Sequence, residues 1–154
     1  MTTTPIKTLL LSEIKNRVAV VIGEPTRVFL DPARGLREEM VEARKPYANI
    51  FTDGESSEKK DLSSEKSFGI EIHTWVKDDT DDKAREKATL LSAQIQAEIL
   101  PRSSTVRQYC QYFEEARSGC CDILLYDEGL CVVVSRYDVK YRHAYGNPFS
   151  MNPY

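Results

Sequence analysis

Apolar residues recur every three to four positions in two stretches of the chain, which is the period of an amphipathic helix. In the first stretch Thr4 can cap the helix and Pro5 suits its first turn. The second stretch follows a run of aspartates at positions 78–82 and ends before Pro101. We predict a short N-terminal helix and a long amphipathic helix of about six turns. The predicted buried stripes are Ile6, Leu10, Ile14 and Val18 in the first helix, and Ala84, Ala88, Leu91, Ile95 and Ile99 in the second.

Three other stretches alternate apolar and polar residues, which is the pattern of half-buried strands. Residues 46–55 predict a strand that a proline opens and Asp53-Gly54 closes. Residues 68–77 predict a second strand, with Phe68, Ile70 and Ile72 on one face. The third strand begins near Leu130, after a turn at residues 127–129, and follows the apolar segment DILLY in a β-hairpin.

The segments between these elements give weaker signals. Residues 52–67 are rich in charge and serine, so we expect a flexible loop. Residues 18–32 indicate short extended pieces, the first of which could continue the helix, and residues 35–43 indicate a helical turn or a loop. Residues 106–116 predict a shorter amphipathic piece, with Gly119 as its stop. Residues 144–154 predict an extended C-terminal tail.

Together these elements predict one α+β domain over residues 1–154, with a mainly antiparallel β-sheet flanked by an N-terminal helix and one long amphipathic helix. The chain has 41% hydrophobic and 29% charged residues and a net charge of -3. This balance provides no basic field for nucleic acid. No apolar run is long enough for a secretory core or a membrane span, so we expect no membrane partner.

Three of the four cysteines lie within residues 119–143. If the hairpin has a three-residue loop, Leu125 opposes Cys131 and Cys121 opposes Ser135, so Cys121 and Cys131 share a face about 13 Å apart. They cannot form a disulfide with each other in that register. The spacing lacks a C-x-x-C pair, so zinc is unpromising. Two interpretations stay open: buried apolar thiols, or a long-range or inter-chain disulfide among Cys110, Cys120, Cys121 and Cys131.

The sequence contains no recognisable catalytic constellation. It has no glycine-rich phosphate loop and no nucleophile elbow, and its two histidines are His73 and His143. A thiol-dependent enzyme would need His143 beside one of the cysteines. We therefore expect no catalytic site, no metal and no cofactor.

The order of the elements resembles the tail terminator proteins of long-tailed bacteriophages. The resemblance covers most of the chain, from about Thr4 to Pro148. It depends on the strand KPYANIFTDGE, the hydrophilic gap after it, the strand FGIEIHTWVK entering a long helix, and a last strand that leads into Y-x-x-x-x-G-N-P. The segment 106–121 and its cysteines depart from the pattern expected of these proteins.

The resemblance implies a non-enzymatic virion protein at the junction of tail and neck, assembled in the host cytoplasm. Six copies would form a ring that caps the tail tube, stops its polymerisation and joins the neck or head-completion protein, while DNA passes through the lumen without specific binding. The alternatives are another head-tail adaptor or small scaffold module, and less favourably the thiol-dependent enzyme.

Exposed charges and aromatic residues are typical of protein interfaces, and several are concentrated in the last strand and the segment after it. Opposite charges along one strand face suit pairing between subunits. We predict that the contacts with other subunits or with the tail tube involve Arg27, Arg34, Arg37, Arg136, Asp138, Lys140, Arg142, Tyr145, Phe149 and Tyr154.

Overall fold

Two strands of 15 residues each, β4 (Ser63–Lys77) and β7 (Leu130–Ala144), pair antiparallel along their whole length at the centre of the structure. The structure is a computed structural model that describes residues 4–60, 62–117, 121–126 and 128–151. Alternation of buried and exposed residues in β7 places Tyr137, Val139 and Tyr141 on one face, as predicted. The last strand therefore has the two faces that its sequence indicates.

Shorter strands extend the sheet on both sides of this central pair. Their bounds are β1 Val28–Leu30, β2 Tyr47–Thr52, β3 Ser56–Lys60, β5 Tyr112–Glu115 and β6 Cys121–Leu125. The outer side of β4 pairs with β2 and β3, and the outer side of β7 pairs with β5 and β6. The strand β1 joins β2 in the single parallel pair of the described sheet.

Two long helices cover one face of the sheet, which we call the helix face. They are α1 (Ile6–Ile22) and α3 (Asp81–Ile99). The Thr80 side chain accepts a hydrogen bond from the Lys83 backbone N–H and so caps α3. The buried side chains of both helices pack against sheet residues such as Ile50 and Ile72. This layer forms the main hydrophobic core and confirms the predicted α+β class.

A smaller core lies on the opposite face, at one end of the sheet only. There the short helix α2 (Glu38–Glu42) and the loop before it pack over Tyr47 and Trp75, whose rings stack at 5.7 Å. The buried Asn49 side chain donates to the Gly35 carbonyl oxygen at 2.7 Å and holds this loop in place. The rest of this face has no helix over it among the described residues.

The structure corrects several expectations about the connecting segments. Within residues 52–67, predicted to be a loop, Ser56–Lys60 forms β3 and pairs as a hairpin with the first five residues of β4. The predicted amphipathic piece at 106–116 is a 3-10 turn followed by β5. Its proposed stop at Gly119 lies outside the described residues. The helix α1 continues through Val18–Ile22, and Pro5 rather than Thr4 occupies its N-cap position.

The predicted extended tail also takes a different form up to residue 151. The Pro148 carbonyl oxygen accepts from the Ile6 N–H at 2.9 Å, and the Leu62 carbonyl oxygen accepts from the Tyr145 N–H at 2.8 Å. The segment after β7 therefore turns back onto the start of α1 and onto the β3–β4 turn, because these backbone groups find partners there.

The register of the β6–β7 hairpin is the one predicted from the sequence. Leu125 pairs with Cys131, and Cys121 pairs with Ser135. Gly129 in the turn has a φ of 75°, the left-handed conformation that favours glycine. The Gly129 N–H donates to the Asp81 carboxylate at 2.6 Å, so the turn is attached to the first turn of α3.

Candidate interaction surface

The half of the sheet that lies beyond α2, on the face opposite α1 and α3, forms the main candidate surface, which we call the open face. It exists because β7 alternates, so that every second side chain points away from the helices. The described residues on it include Phe51, Glu65, Gly69, Glu71, His73, Asp122, Arg136, Asp138, Lys140 and Arg142. Four of the ten predicted contact residues, from Arg136 to Arg142, therefore lie together on this face.

Arg136 connects three strands of the open face. Its Nε lies 3.0 Å from Glu71 Oε1 on β4, and its Nη1 lies 2.8 Å from Asp122 Oδ2 on β6. The second oxygen of Glu71 lies 3.0 Å from His73 Nε2. A chain of polar contacts thus runs across the sheet from β4 to β6.

These contacts change the pKa values of two of the groups. The hydrogen bonds from His73 and Arg136 outweigh partial burial and lower the pKa of Glu71. The hydrogen bonds to Asp122 and Glu71 raise the pKa of Arg136. Both groups are therefore charged at neutral pH, and the face carries fixed charges.

A second ion pair lies further along the same two central strands. Arg142 Nη2 lies 3.1 Å from Glu65 Oε2, and Lys60 Nζ lies 3.4 Å from Glu65 Oε1. Burial raises the pKa of Glu65, but the hydrogen bonds from Arg142 and Lys60 outweigh it and leave the pKa lowered. The predicted contact residue Arg142 therefore also has an intramolecular partner.

Asp138 and Lys140 border a shallow cavity of about 450 Å³ between these two ion-pair groups. Its floor includes Gly69, where β4 changes its partner from β3 to β2. A Cβ at this position would overlap the carboxylate of Asp53, which accepts a hydrogen bond from the Gly69 N–H at 2.5 Å. The glycine therefore lets the Asp53 carboxylate close onto the sheet.

The aromatic residues predicted as contacts lie past the end of β7. Tyr145 is 62% exposed, and the ammonium group of Lys59 lies 4.6 Å from the centre of its ring. Phe149 is 37% exposed in the turn that follows. Tyr154 lies outside the described residues. The two described side chains are therefore accessible to a partner.

The three predicted arginines near the start of the sheet have different environments. Arg27 is mostly buried, and its two terminal nitrogens donate to the carbonyl oxygens of Ile22 and Pro46 at 2.9 Å, so it holds α1 to the sheet. Arg37 covers the ring of Phe29 at 4.0 Å. Arg34 is exposed, and within the described ranges it makes no ion pair. Arg34 is thus the most available of the three.

The strand β6 is a surface that reasoning from the sequence did not single out. Its apolar side chains are half-exposed: Ile123 is 45%, Leu124 44% and Leu125 41% exposed, and Tyr126 after it is 59% exposed. The signal was present in the sequence, since four consecutive apolar residues must place some side chains on each face of a strand.

Two of the cysteines lie in environments that keep the thiol protonated rather than activate it. Cys110 and Cys131 are free; burial raises the pKa of Cys110 to about 11 and also raises that of Cys131. Cys121 is exposed at the start of β6. Cys120 lies outside the described residues, so a disulfide that involves Cys120 or Cys121 stays a prediction.

His143 lies too far along β7 to act on two of these thiols. Cys131 is in the same strand roughly 40 Å away, and the partner of Cys121, Ser135, is roughly 26 Å away at about 3.3 Å per residue. His143 is buried, and its Nδ1 lies 2.8 Å from the Ala144 carbonyl oxygen. The pairing of His143 with Cys121 or Cys131 that a thiol enzyme would need is therefore absent.

Three further findings bear on the classes of function. Among the described residues, no group of three or more histidine, cysteine, aspartate or glutamate side chains is placed to hold a metal ion. No described helix has the length and apolar character needed to cross a membrane. No known protein family and no curated protein sequence matches this chain. Inferences about function therefore depend on the surface described above and on the order of the elements.

Proposed function

We propose that this protein is a structural subunit that caps the end of a bacteriophage tail tube as a ring, stops tube polymerisation and joins the tail to the neck. The observation that carries the proposal is the order of the elements on one sheet: an N-terminal helix, a proline-initiated strand that ends at Asp53-Gly54, a strand that enters the long helix α3, and a long closing strand. This order resembles that of the tail terminator proteins of long-tailed phages.

The surface chemistry supports a role in assembly. The open face carries paired charges across β4, β6 and β7, and the sheet ends in exposed edge strands. A surface of fixed charges suits docking to a partner of complementary charge, because charge complementarity sets register and specificity. The accessible residues Tyr145 and Phe149 add the aromatic character that is enriched at protein interfaces.

The partners in this proposal are other copies of the chain, the tail tube protein and a neck or head-completion protein. A ring of six copies would enclose a lumen for DNA, and the net charge of -3 per chain disfavours tight binding to the DNA that passes through. Ring formation needs two different surfaces on each copy, since a head-to-tail contact closes only when one patch meets another. The protein would belong to the virion, at the tail-neck junction.

The test measures assembly and tube length together. The purified protein is mixed with tail tube protein and studied by mass photometry and negative-stain microscopy. We expect rings of about six copies, in line with closed cyclic oligomers, located at tube ends, and tubes of limited length. A protein that stays monomeric at every concentration, with tube ends present, contradicts the proposal.

A matched pair of variants separates the open face from the rest of the surface. Lys140→Glu reverses an exposed charge on the open face, and Lys87→Glu reverses an exposed charge on α3. We expect the first variant to lose tube capping and the second to keep it, while both keep the melting temperature of the parent. Equal capping by the two variants would show that the open face is not part of the contact with the tube end.

A further inference from the structure

The outer edge of β6 is an apolar strand edge without a neighbour among the described strands. One edge of β6 pairs with β7, and its side chains from Ile123 to Leu125 are all more than two-fifths exposed. Soluble proteins usually protect such an edge with charges, proline or a covering element, because its free N–H and C=O groups can pair with another strand. Among the described residues, none of those protections is found along Ile123, Leu124 and Leu125.

The strand β1 forms the opposite edge of the same sheet, and it is level with β6 along the strand direction. The paired residues form continuous rows: Val28 pairs with Ala48, which pairs with Thr74, then Val133, and finally Ile123. By the same pairing, the row of Leu30 ends at Cys121. The two edges are therefore the two ends of one set of rows.

The two edges also match in chemistry and direction. Leu30 is 37% exposed at β1, and Leu36 in the loop before α2 is 42% exposed. The pairing across the sheet shows that β6 runs antiparallel to β1. If a second copy in the same orientation places its β1 beside β6, the two strands therefore form an antiparallel pair. An apolar strand at each edge can thus be covered by the other.

The charges near the two edges differ in part. The β6 edge has the exposed acidic residues Asp122, which is paired with Arg136, and Glu128, whereas the loop that follows β1 carries the exposed Arg34 and the partly exposed Arg37 after the exposed Asp31. Opposite charges favour contact between different edges, and like charges disfavour contact of β6 with a second β6. The occupant of the β6 edge that fits these observations is the β1 edge of another copy.

We propose that β6 of one copy pairs with β1 of the next, so that the sheet continues from subunit to subunit. The contact is head-to-tail, which generates a closed ring when the rotation between copies closes. The inference rests on the self-assembly in the proposed function and adds the pair of edges that makes it.

The test uses exposed positions on the helix-face side of both edges. Ile123→Lys and Leu30→Glu should each weaken association of the full chain by on the order of 30-fold, the effect of one central interface residue. The double variant Ile123→Lys with Leu30→Glu should recover most of the association. In the register of the shared rows Ile123 meets Val28, so the two new charges are diagonal neighbours on one face, within reach of each other. Mass photometry over a concentration series gives the readout.

Leu90→Lys is the matched control, because Leu90 is 57% exposed on α3 and belongs to neither edge strand. It should assemble like the parent, and circular dichroism should show that every variant is folded. Rings that tolerate Ile123→Lys or Leu30→Glu as well as they tolerate Leu90→Lys would overturn the edge pairing and leave the proposed function standing. Failure of the double variant to recover would also overturn the pairing. A parent protein that never self-associates would overturn both.

Discussion

The strands β3 and β6 are both five-residue edge strands with exposed side chains, yet their compositions are opposite. The residues of β3 are two serines, a glutamate and two lysines, whereas β6 ends in Ile123, Leu124 and Leu125. Charged residues, especially lysine, discourage an edge from pairing with another chain. The polar edge is thus protected against association, while the apolar edge is exposed to it.

The difference indicates that edge composition in this protein follows position in the sheet. The β3 edge is covered in part by the returning chain, since Lys59 lies over the ring of Tyr145. The β6 edge lies where the sheet ends with no covering element among the described residues. An apolar strand at such a place can form a contact between subunits in a protein that assembles, and promotes aggregation in one that does not.

The largest expected effect concerns the turn that positions β6. A Cβ at Gly129 would overlap the Asp78 carbonyl oxygen, and its φ of 75° disfavours other residues. We expect Gly129→Ala to lower the free energy of unfolding by about 3 kcal/mol, because both backbone strain and a clash with backbone are introduced. Urea denaturation measures the change.

The matched change near β3 is Gly54→Ala. Gly54 has a negative φ, and no neighbouring atom lies within 4 Å of the place that an alanine Cβ would take, so we expect a change within about 0.5 kcal/mol. Equal effects of the two substitutions would contradict the view that the β6 hairpin is tightly docked and the connection to β3 is open.

The second expected effect concerns the ion pairs that attach each edge. Arg136→Met removes the contacts of β7 with Glu71 and with Asp122 on β6. It should lower the free energy of unfolding by about 1 kcal/mol. Lys60→Met removes one exposed pair at β3 and should cost only a few tenths of a kcal/mol. Thermal unfolding of both variants gives the comparison, and a greater loss in Lys60→Met would reverse it.

The smallest expected effect is a pH dependence of the free energy of unfolding. It arises from Glu71, whose partner Arg136 also contacts β6. The pKa of Glu71 is lowered from its ordinary value of 4.5, so its stabilising contribution is present above pH 4.5 and is lost as the pH falls through the lowered pKa. The side chain is 43% exposed, and solvent screening limits the contribution to a few tenths of a kcal/mol.

Glu71→Gln should therefore flatten the acid side of the stability curve, measured by urea denaturation between about pH 5 and pH 3. Glu86→Gln on the exposed face of α3 provides the control and should leave the curve as in the parent. An unchanged acid slope in Glu71→Gln would show that the contacts with His73 and Arg136 do not stabilise the charged form of Glu71.

The periodicity of apolar residues predicted the helices and strands that are buried on one face only. The alternation in β7, four of the five stripe residues of α3 and the register of the β6–β7 hairpin agree with the structure. Leu91, expected in the buried stripe, is half-buried, while Ser92 is buried and bonds to Ser135 at 2.9 Å. The helix is thus rotated slightly from the apolar stripe because a buried hydrogen bond takes part in its packing.

The predictions failed where a segment forms structure without burying apolar residues. Ser56–Lys60 has no apolar side chain, and it is a strand because β4 extends far enough to offer it backbone partners. In the same way Tyr112–Glu115 lies within the stretch predicted as an amphipathic piece, but pairs with the outer edge of β7. In both segments the pairing is made by backbone groups, which leave no mark in local composition.

The sequence by itself determined the α+β class, the presence of an N-terminal helix, the long helix α3 and the two faces of the last strand, because these depend on local periodicity and on the separation of apolar from charged side chains. Only the tertiary structure decided which charges on the open face meet, with Arg136 between Glu71 and Asp122. It also decided which strand edges are left uncovered. Both depend on the order of strands across the sheet, and that order is set by contacts between residues far apart in the chain.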